Sequence, residues 1–374
     1  MSRLAIVVSH PIQYFSPMFR YLAERMDVVV FYAHDPSGHE VGREGFGLDF
    51  KWDTDLLSGY EHVFLKNVSA HPSLVKYNGC DTPDVKQMFL QHQVTHVLIF
   101  GWYLKSYLQA LRAARQLKLP VAVRGDSQFG ATRHPIKDTI KKMLYPWLIR
   151  KYSTTFYVGK LNREYLEAHG AKETQLAYAP HAVDQAFWHP DPLQKKESEV
   201  ITFLWVGKMV DIKRPEDMVR AFLKASGKDP DIRCIMVGDG PLRKKCEQLS
   251  AGSDRISWVG FKNQTELLPL YQKTNCLVMT SLSETWGLVV NEAMACGIPA
   301  IVSELCGCVP DMIDGKGSGW TYPPGDVDAL AQKISEATHA CRHPGPGLAD
   351  ALGRVNKVHS FETNFEALRT FVEA

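Results

Sequence analysis

Short, almost continuously apolar runs recur along the whole chain, and between them lie stretches whose apolar residues return at helical spacing. The runs LAIVV (4–8), VVVFYA (28–33), HVLIF (96–100), PVAVRG (120–125), TTFYVG (154–159) and QLAYAP (175–180) show no alternation of apolar with polar residues. A strand apolar at every position is covered on both faces, which points to a parallel sheet between two layers of helices. Segments such as MFRYLAERM and LKSYLQALRAARQLKL, apolar at i, i+3, i+4 and i+7, supply the crossovers. The expected fold is α/β and doubly wound, with right-handed connections.

The rhythm stops at HPDPLQKKESEV (189–200), rich in proline and charge, and restarts with ITFLWVG (201–207), IRCIMVG (232–238), ISWVG (256–260), CLVMTS (276–281) and PAIVS (299–303). A polar interruption between two apolar series reads as a linker. The 374 residues suit two domains of ordinary size. We expect Rossmann-like domains over 1–190 and 191–355, with 356–374 as a closing helix that packs back towards the first. The carboxyl ends of the two sheets are expected to face each other across a cleft, where ligands of such folds bind. Closure over that cleft would exclude water.

Several classes are excluded early. Charged residues make up 22% and hydrophobic residues 45%, a globular balance that argues against disorder. A formal charge of +2 is far from that of a dedicated nucleic-acid binder, so no nucleic-acid partner is expected. No apolar run reaches the ~20 residues of a spanning helix, and MSRLAIVVSHPIQYF reads as a first buried strand, not a signal peptide. The expected location is cytoplasmic. The eight cysteines form no C-x-x-C pair and several sit inside strand-like runs, so buried reduced thiols and no zinc site are expected. Cys306-Gly307-Cys308 reads as an ordinary loop.

The densest chemistry lies in CLVMTSLSETWGLVVNEAMACGIPAIVS (276–303). A strand ends near Thr280, a polar loop runs to Trp286, and a helix begins near Gly287 and closes at Gly297. The amides of Gly287, Leu288 and Val289 then form an anion site at the helix start. Glu284 falls in the loop and Glu292 one turn into the helix, where a carboxylate can accept from a ribose diol. In VGKMVDIKRPEDMVRAF (206–222), Lys208 and Lys213 sit on a loop after a strand, placed to clamp a diphosphate. MVGDGPLRKK (236–245) is a glycine-rich turn that lacks G-x-G-x-x-G, and there is no P-loop, so neither a dinucleotide fingerprint nor a Walker motif is present.

Taken in order, these pieces resemble the family 4 glycosyltransferases, a retaining, nucleotide-sugar-dependent group with the GT-B architecture. The family's E-x7-E stands as Glu284…Glu292, its Gly-Arg…Lys element as Gly207, Lys208 and Lys213, and its G-D-G-P turn as Gly238–Pro241. Its V-x-G-F element is matched by Trp258-Val259-Gly260-Phe261, and PHAVDQAFWHP (180–190) resembles its end-of-first-domain segment. The resemblance covers about residues 175–330. It implies that Glu292 binds the donor ribose, that Glu284 binds the transferred sugar, and that Lys208 and Lys213 stabilise the departing diphosphate. Gly207, Gly238, Phe261, Thr285, Trp286, Gly287, Leu288 and Val289 would line the donor site. No metal and no resident cofactor are implied, only a UDP- or GDP-type sugar as co-substrate. Lys at 208 in place of the usual Arg keeps the charge and gives up bidentate geometry.

By this resemblance the chain is a hexosyltransferase acting on a saccharide or lipid-linked acceptor in polysaccharide or glycoconjugate biosynthesis. A GT-B epimerase and a non-catalytic nucleotide-sugar sensor or assembly protein stand as alternatives. The first half departs from the family: SHPIQYFSPMF (9–19) replaces the usual glycine-rich turn, and VRGDSQ (123–128) stands where a histidine is common. His10, Gln13, Trp102, Arg124 and Asp126 are the acceptor-side candidates. The plainer readings are a satisfied strand-end His10, packing by Trp102, and an Arg124–Asp126 pair. The first 190 residues carry 22 basic and 17 acidic side chains, and residues 101–151 alone carry 11 against two. Within them KDTIKKMLYPWLIRKY (137–152) reads either as an interfacial helix at a membrane or as a helix buried on one face with solvated lysines on the other.

Overall fold

The computed structural model describes residues 2–35, 52–129, 143–189 and 199–374. They form two units. One comprises the described residues up to Pro180 together with Phe361–Ala374, and the other comprises those of His181–Ser360.

The first unit holds a seven-stranded sheet in the order β3-β2-β1-β4-β5-β6-β7, with every pairing parallel. Its strands are β1 (Leu4–Val8), β2 (Val28–Tyr32), β3 (Glu61–Phe64), β4 (His96–Phe100), β5 (Val121–Arg124), β6 (Thr154–Tyr157) and β7 (Leu176–Tyr178). β1 and β2 are buried at all five positions, as their unbroken apolar runs require. The helices are α1 (Ser16–Ala23), α2 (Val85–Gln91), α3 (Lys105–Gln116) and α4 (Lys160–Ala168), with a further helical stretch at 143–149. The amphipathic segment noted at 137–152 lies outside the described residues over 137–142, and most of the linker (190–198) does too.

The second unit repeats the theme with six parallel strands in the order β10-β9-β8-β11-β12-β13. These are β8 (Ile201–Val206), β9 (Ile232–Val237), β10 (Ile256–Gly260), β11 (Cys276–Met279), β12 (Ala300–Ser303) and β13 (Gly319–Tyr322). Its helices are α5 (Pro215–Ser226), α6 (Arg243–Leu249), α7 (Gln264–Gln272), α8 (Leu288–Ala295), α9 (Val327–Arg342) and α10 (Pro346–Val358). In each sheet the strand order reverses once, between β1 and β4 and between β8 and β11. No helix among the described residues is long and apolar enough to cross a membrane.

The unit boundaries differ from those read in the sequence, 180/181 instead of 190/191 and 360/361 instead of 355/356. The cause is packing. Trp188, 1% exposed, lies edge-on to Tyr271 of α7, and Gln185 donates to the carbonyls of Asn356 and His359, so 181–189 folds with the second unit. The last helix, α11 (Phe361–Glu373), folds with the first: Phe371 meets His96 and Phe156, and Phe361 meets Tyr21.

The carbonyl of Pro180, last residue of the first unit before the crossing, receives two donors. Asn364 of α11 gives its Nδ2 (3.0 Å), and Arg124 at the end of β5 gives Nη2 (3.0 Å) while its Nε reaches Ala179 (3.3 Å). Arg124 is 4% exposed and lies near the rings of Phe15 and Phe100. Its guanidinium therefore serves the chain crossing, with Asp126 acting on it electrostatically. A buried carbonyl stripped of its donor loses about 1–3 kcal/mol. Arg124→Met, which keeps most of the volume, is expected to lower the stability of the first unit by about 3 kcal/mol; urea unfolding within ~0.5 kcal/mol of the parent would show that the guanidinium does not hold the crossing.

Candidate donor site at the second switch point

Outside the carboxyl ends of β8 and β11, where the order reverses, two loops converge. The first leaves β8 through Gly207, Lys208 and Met209 and reaches Lys213 at the end of a short 3-10 turn (Asp211–Lys213). Backbone bonds seat it: Gly207 N on Val237, Met209 N on Asp239, and Leu242 N on Met209. Gly238 lies so close beneath it that a Cβ there would stand 1.9 Å from the Gly207 carbonyl oxygen, at a φ of +125° that side-chain residues avoid. Gly238, expected to line the donor site, is thus a buttress under the lysine loop.

Thr280, fully buried just past β11, donates its hydroxyl to the Lys213 carbonyl (2.7 Å) and accepts from the Trp205 indole (2.8 Å). Leu282 N adds a bond to the Ile212 carbonyl (2.8 Å). The second loop carries Glu284, whose carboxylate forms an ion pair with the Lys213 ammonium. Its backbone lies against the Cys306-Gly307-Cys308 segment, with Gly307 N on Glu284 (2.9 Å) and Cys308 N on Trp286 (3.2 Å). The loop read as ordinary is therefore the rear wall of the site. Lys208 is held below the usual lysine range, by burial first and then by the neighbouring Lys213 charge.

Gly287 is the N-cap of α8 at φ +105°, and a Cβ there would meet the Met279 thioether at 2.8–2.9 Å. Leu288 and Val289 follow as the first helical residues, and their amides have no intrahelical partner. Thr285 is exposed beside them, and Phe261 is half-buried just past β10. Trp286 is expected to serve through its backbone, and its side chain is turned inward: it is 3% exposed, donates to Asn291 (2.8 Å), and packs against His181 and His359. Only its backbone remains for a ligand.

Glu292 lies one turn into α8. Burial pushes its carboxyl up to about 7, while a hydrogen bond from the Tyr271 hydroxyl (2.7 Å) pulls the other way. Tyr271, on α7 and fully buried against Trp188, was not singled out in the sequence, because nothing in QTELLPLYQ marks one aromatic as facing a carboxylate 21 residues away. Asn291 was missed for the same reason; its Nδ2 holds the His181 carbonyl (3.2 Å).

Of the first-unit candidates, His10 and Gln13 follow β1 and Trp102 follows β4, the two strands that flank that sheet's own reversal. His10 accepts or donates at Ser9 Oγ (2.9 Å) and is held down to about 4, by burial first and then by His34, so its imidazole is neutral. Trp102 is half-buried and packs on Tyr145.

Residues 185–341 match the family described as Glycosyl transferases group 1. The sulfoquinovosyl transferase SQD2 of Arabidopsis thaliana is 24% identical over 350 residues, covering 87% of this chain and 63% of that protein. A glycogen synthase of Mycobacterium tuberculosis is 26% identical over 310 residues, covering 79% and 64%. The chain thus spans somewhat less than two thirds of the length of these curated relatives. Among solved structures, HepE of Anabaena in complex with UDP superposes with a TM-score of 0.75 at 14% identity, over 100% of both chains. The fold is that of the GT-B glycosyltransferases, and the family match falls on residues 185–341, the stretch that carries most of the motifs.

Between the ordinary glutamate range and about pH 7, Glu292 is protonated in the folded chain and ionised in the unfolded one. The folded state binds more protons there, so this residue's contribution to stability falls as pH rises through that window. Glu292→Gln is expected to be more stable than the parent above about pH 7, with the gain shrinking towards pH 4. Paired urea titrations across that range check the sign; a gain that does not vary with pH would refute the burial argument. Tyr271→Phe removes a bond to the ionised carboxylate and is expected to move the Glu292 midpoint upward by about one unit, read from the carboxyl stretch in infrared titration.

Proposed function

We propose that this chain, whose residues 185–341 match the group 1 glycosyltransferase family, transfers a hexosyl unit from a nucleotide diphosphate sugar of UDP or GDP type to a saccharide or lipid-linked acceptor, with retention at the anomeric carbon. The observation that carries this reading is the convergence of Lys208, Lys213, Glu284 and the start of α8, with Glu292 one turn beyond, at one sheet's switch point.

Each group has a task set by its chemistry. Glu292 accepts the two ribose hydroxyls; those donors favour its ionised form and offset the burial that raises it. The amides of Leu288 and Val289 meet the phosphates at the positive end of the helix. Glu284 takes hydroxyls of the transferred sugar. Lys213, held by Glu284 in the free protein, gains the diphosphate as a second anion, and Lys208 stands beside it. As the bond from C1 to the diphosphate oxygen breaks, its electron pair stays on that oxygen, where the two ammonium groups stabilise it. The acceptor oxygen bonds to C1 on the same face and passes its proton to the departing diphosphate oxygen. Fixed cations and a helix terminus suffice for such a leaving group, so the reaction is proposed to need neither metal nor cofactor. His10, Gln13 and Trp102 of the first domain are proposed to bind the acceptor; a neutral imidazole both donates to and accepts from sugar hydroxyls. The place of action is proposed to be the cytoplasm, at the inner face of a membrane when the acceptor is lipid-linked, in polysaccharide or glycoconjugate synthesis.

Glu292→Ala is expected to weaken UDP or GDP binding by about tenfold or more, by calorimetry, and unchanged affinity would remove the ribose assignment. Lys213→Ala is expected to lower turnover by about 10²–10³ with a smaller effect on donor KM. Incubation with a panel of nucleotide sugars tests the class. Nucleotide release that depends on added acceptor supports transfer, whereas interconversion of the sugar without acceptor, or binding alone, would replace this reading with an epimerase or a sensor.

A further inference from the structure

The helical stretch 143–149 is apolar on two sides. Ile149 is buried, Leu148 packs on the first core, and Tyr145 lies against Trp102 and Tyr165. On the other side Met143, Leu144 and Trp147 are 75%, 58% and 64% exposed. Helical positions i, i+1 and i+4 fall within an arc of about 100°, so these three form one patch. Over these residues the outward side is apolar, while Lys137, Lys141 and Lys142 of the same segment lie outside the described residues. A surface helix ordinarily turns a polar side outward, and a contiguous apolar patch on one marks a contact surface.

The surroundings of the patch are cationic. The Lys151 ammonium sits 3.7 Å from the centre of the Trp147 ring, and Arg115 of α3 donates to the Lys151 carbonyl (3.3 Å). Arg112, one turn earlier on the outer side of α3, and Arg150 are both exposed. Neither α3 nor residues 139–151 contain an acidic side chain.

We propose that this face, with Leu144 and Trp147 at its centre and Arg115, Arg150 and Lys151 around them, docks the first domain onto a surface of anionic phospholipid. An indole at the edge of apolar side chains suits the boundary between headgroups and acyl chains. Cations that have no carboxylate partner among the described residues suit a negatively charged plane. A second copy of the chain would bring like charges together, so self-association is the poorer fit. The proposal extends the lipid-linked reading of the acceptor, and it rests on no nucleotide chemistry.

Co-sedimentation of the full chain with vesicles tests it, using phosphatidylglycerol mixed with phosphatidylcholine against phosphatidylcholine alone, without nucleotide. Binding to the mixed vesicles at low salt is expected, largely lost near 1 M salt, where the screening length falls to about 3 Å. Trp147→Ala and Leu144→Glu are each expected to weaken it by about tenfold, and Arg150→Glu by about fivefold or more, with thermal unfolding unchanged. Absence of binding, equal binding to uncharged vesicles, or binding indifferent to all three variants would overturn the proposal. So would a concentration-dependent dimer that Leu144→Glu abolishes while vesicles stay unbound. Failure here leaves the donor site untouched, and failure of nucleotide binding leaves the vesicle result standing.

Discussion

Every described strand runs parallel to its neighbours, and that constraint organises the rest of the molecule. Parallel neighbours cannot be joined by a tight turn, so each connection crosses the sheet, and helices cover both faces. Where the winding changes direction, the loops after two adjacent strands lead to helices on opposite faces of the sheet, and backbone groups are left uncovered at the crevice between those helices. In the second domain this happens between β8 and β11, and the charged groups of the proposed donor site come from those two loops and the helix that follows. The residues around them act mainly as supports. The turn at Gly238 bears on the lysine loop at a distance no side chain tolerates, and the Thr280 hydroxyl ties the Lys213 backbone to the end of β11.

Electrostatically the site is balanced by pairs, not by bulk charge. The half of the chain that carries it is slightly acidic, with 21 basic and 24 acidic residues after position 190. Lys213 and Glu284 neutralise each other, Lys208 is disfavoured by burial and a like charge, and Glu292 is drawn towards neutrality by burial. On the proposed function, an arriving polyanion with ribose hydroxyls would relieve these strains together, giving the lysines a counter-charge and the carboxylate its donors. Such self-neutralised sites trade stability for function, because each group is held where water would serve it better.

The core strands were legible as apolar runs, and the structure reproduces them to within a residue or two at each end: β1, β4 and β10 coincide with LAIVV, HVLIF and ISWVG. Two strands were not legible, β3 and β13. Both are edge strands, only partly buried, and their sequences EHVF and GWTY carry no apolar run, whereas β7 and β10 at the opposite edges keep one. The loop and helix positions of the proposed site's charged residues were legible because glycines, lysines and glutamates at fixed spacing mark a strand–loop–helix joint. Its supports were not. Tyr271, Thr280 and Asn291 are ordinary residues whose importance comes from what they touch, and those partners are 21, 67 and 110 positions away.

The sequence by itself determined the two doubly wound sheets and the loop and helix positions of Lys208, Lys213, Glu284 and Glu292, because burial on both faces and loop position are local properties of the chain, whereas the order of the strands came only with the fold. Tertiary structure decided what local pattern does not encode. It turned Trp286 inward, assigned Arg124 to the chain crossing instead of a ligand, moved the domain boundary to Pro180, and gave the 143–149 helix an apolar outer face. In each case a side chain's role depends on whether a neighbour distant in sequence covers it, and that is settled only when the chain has folded.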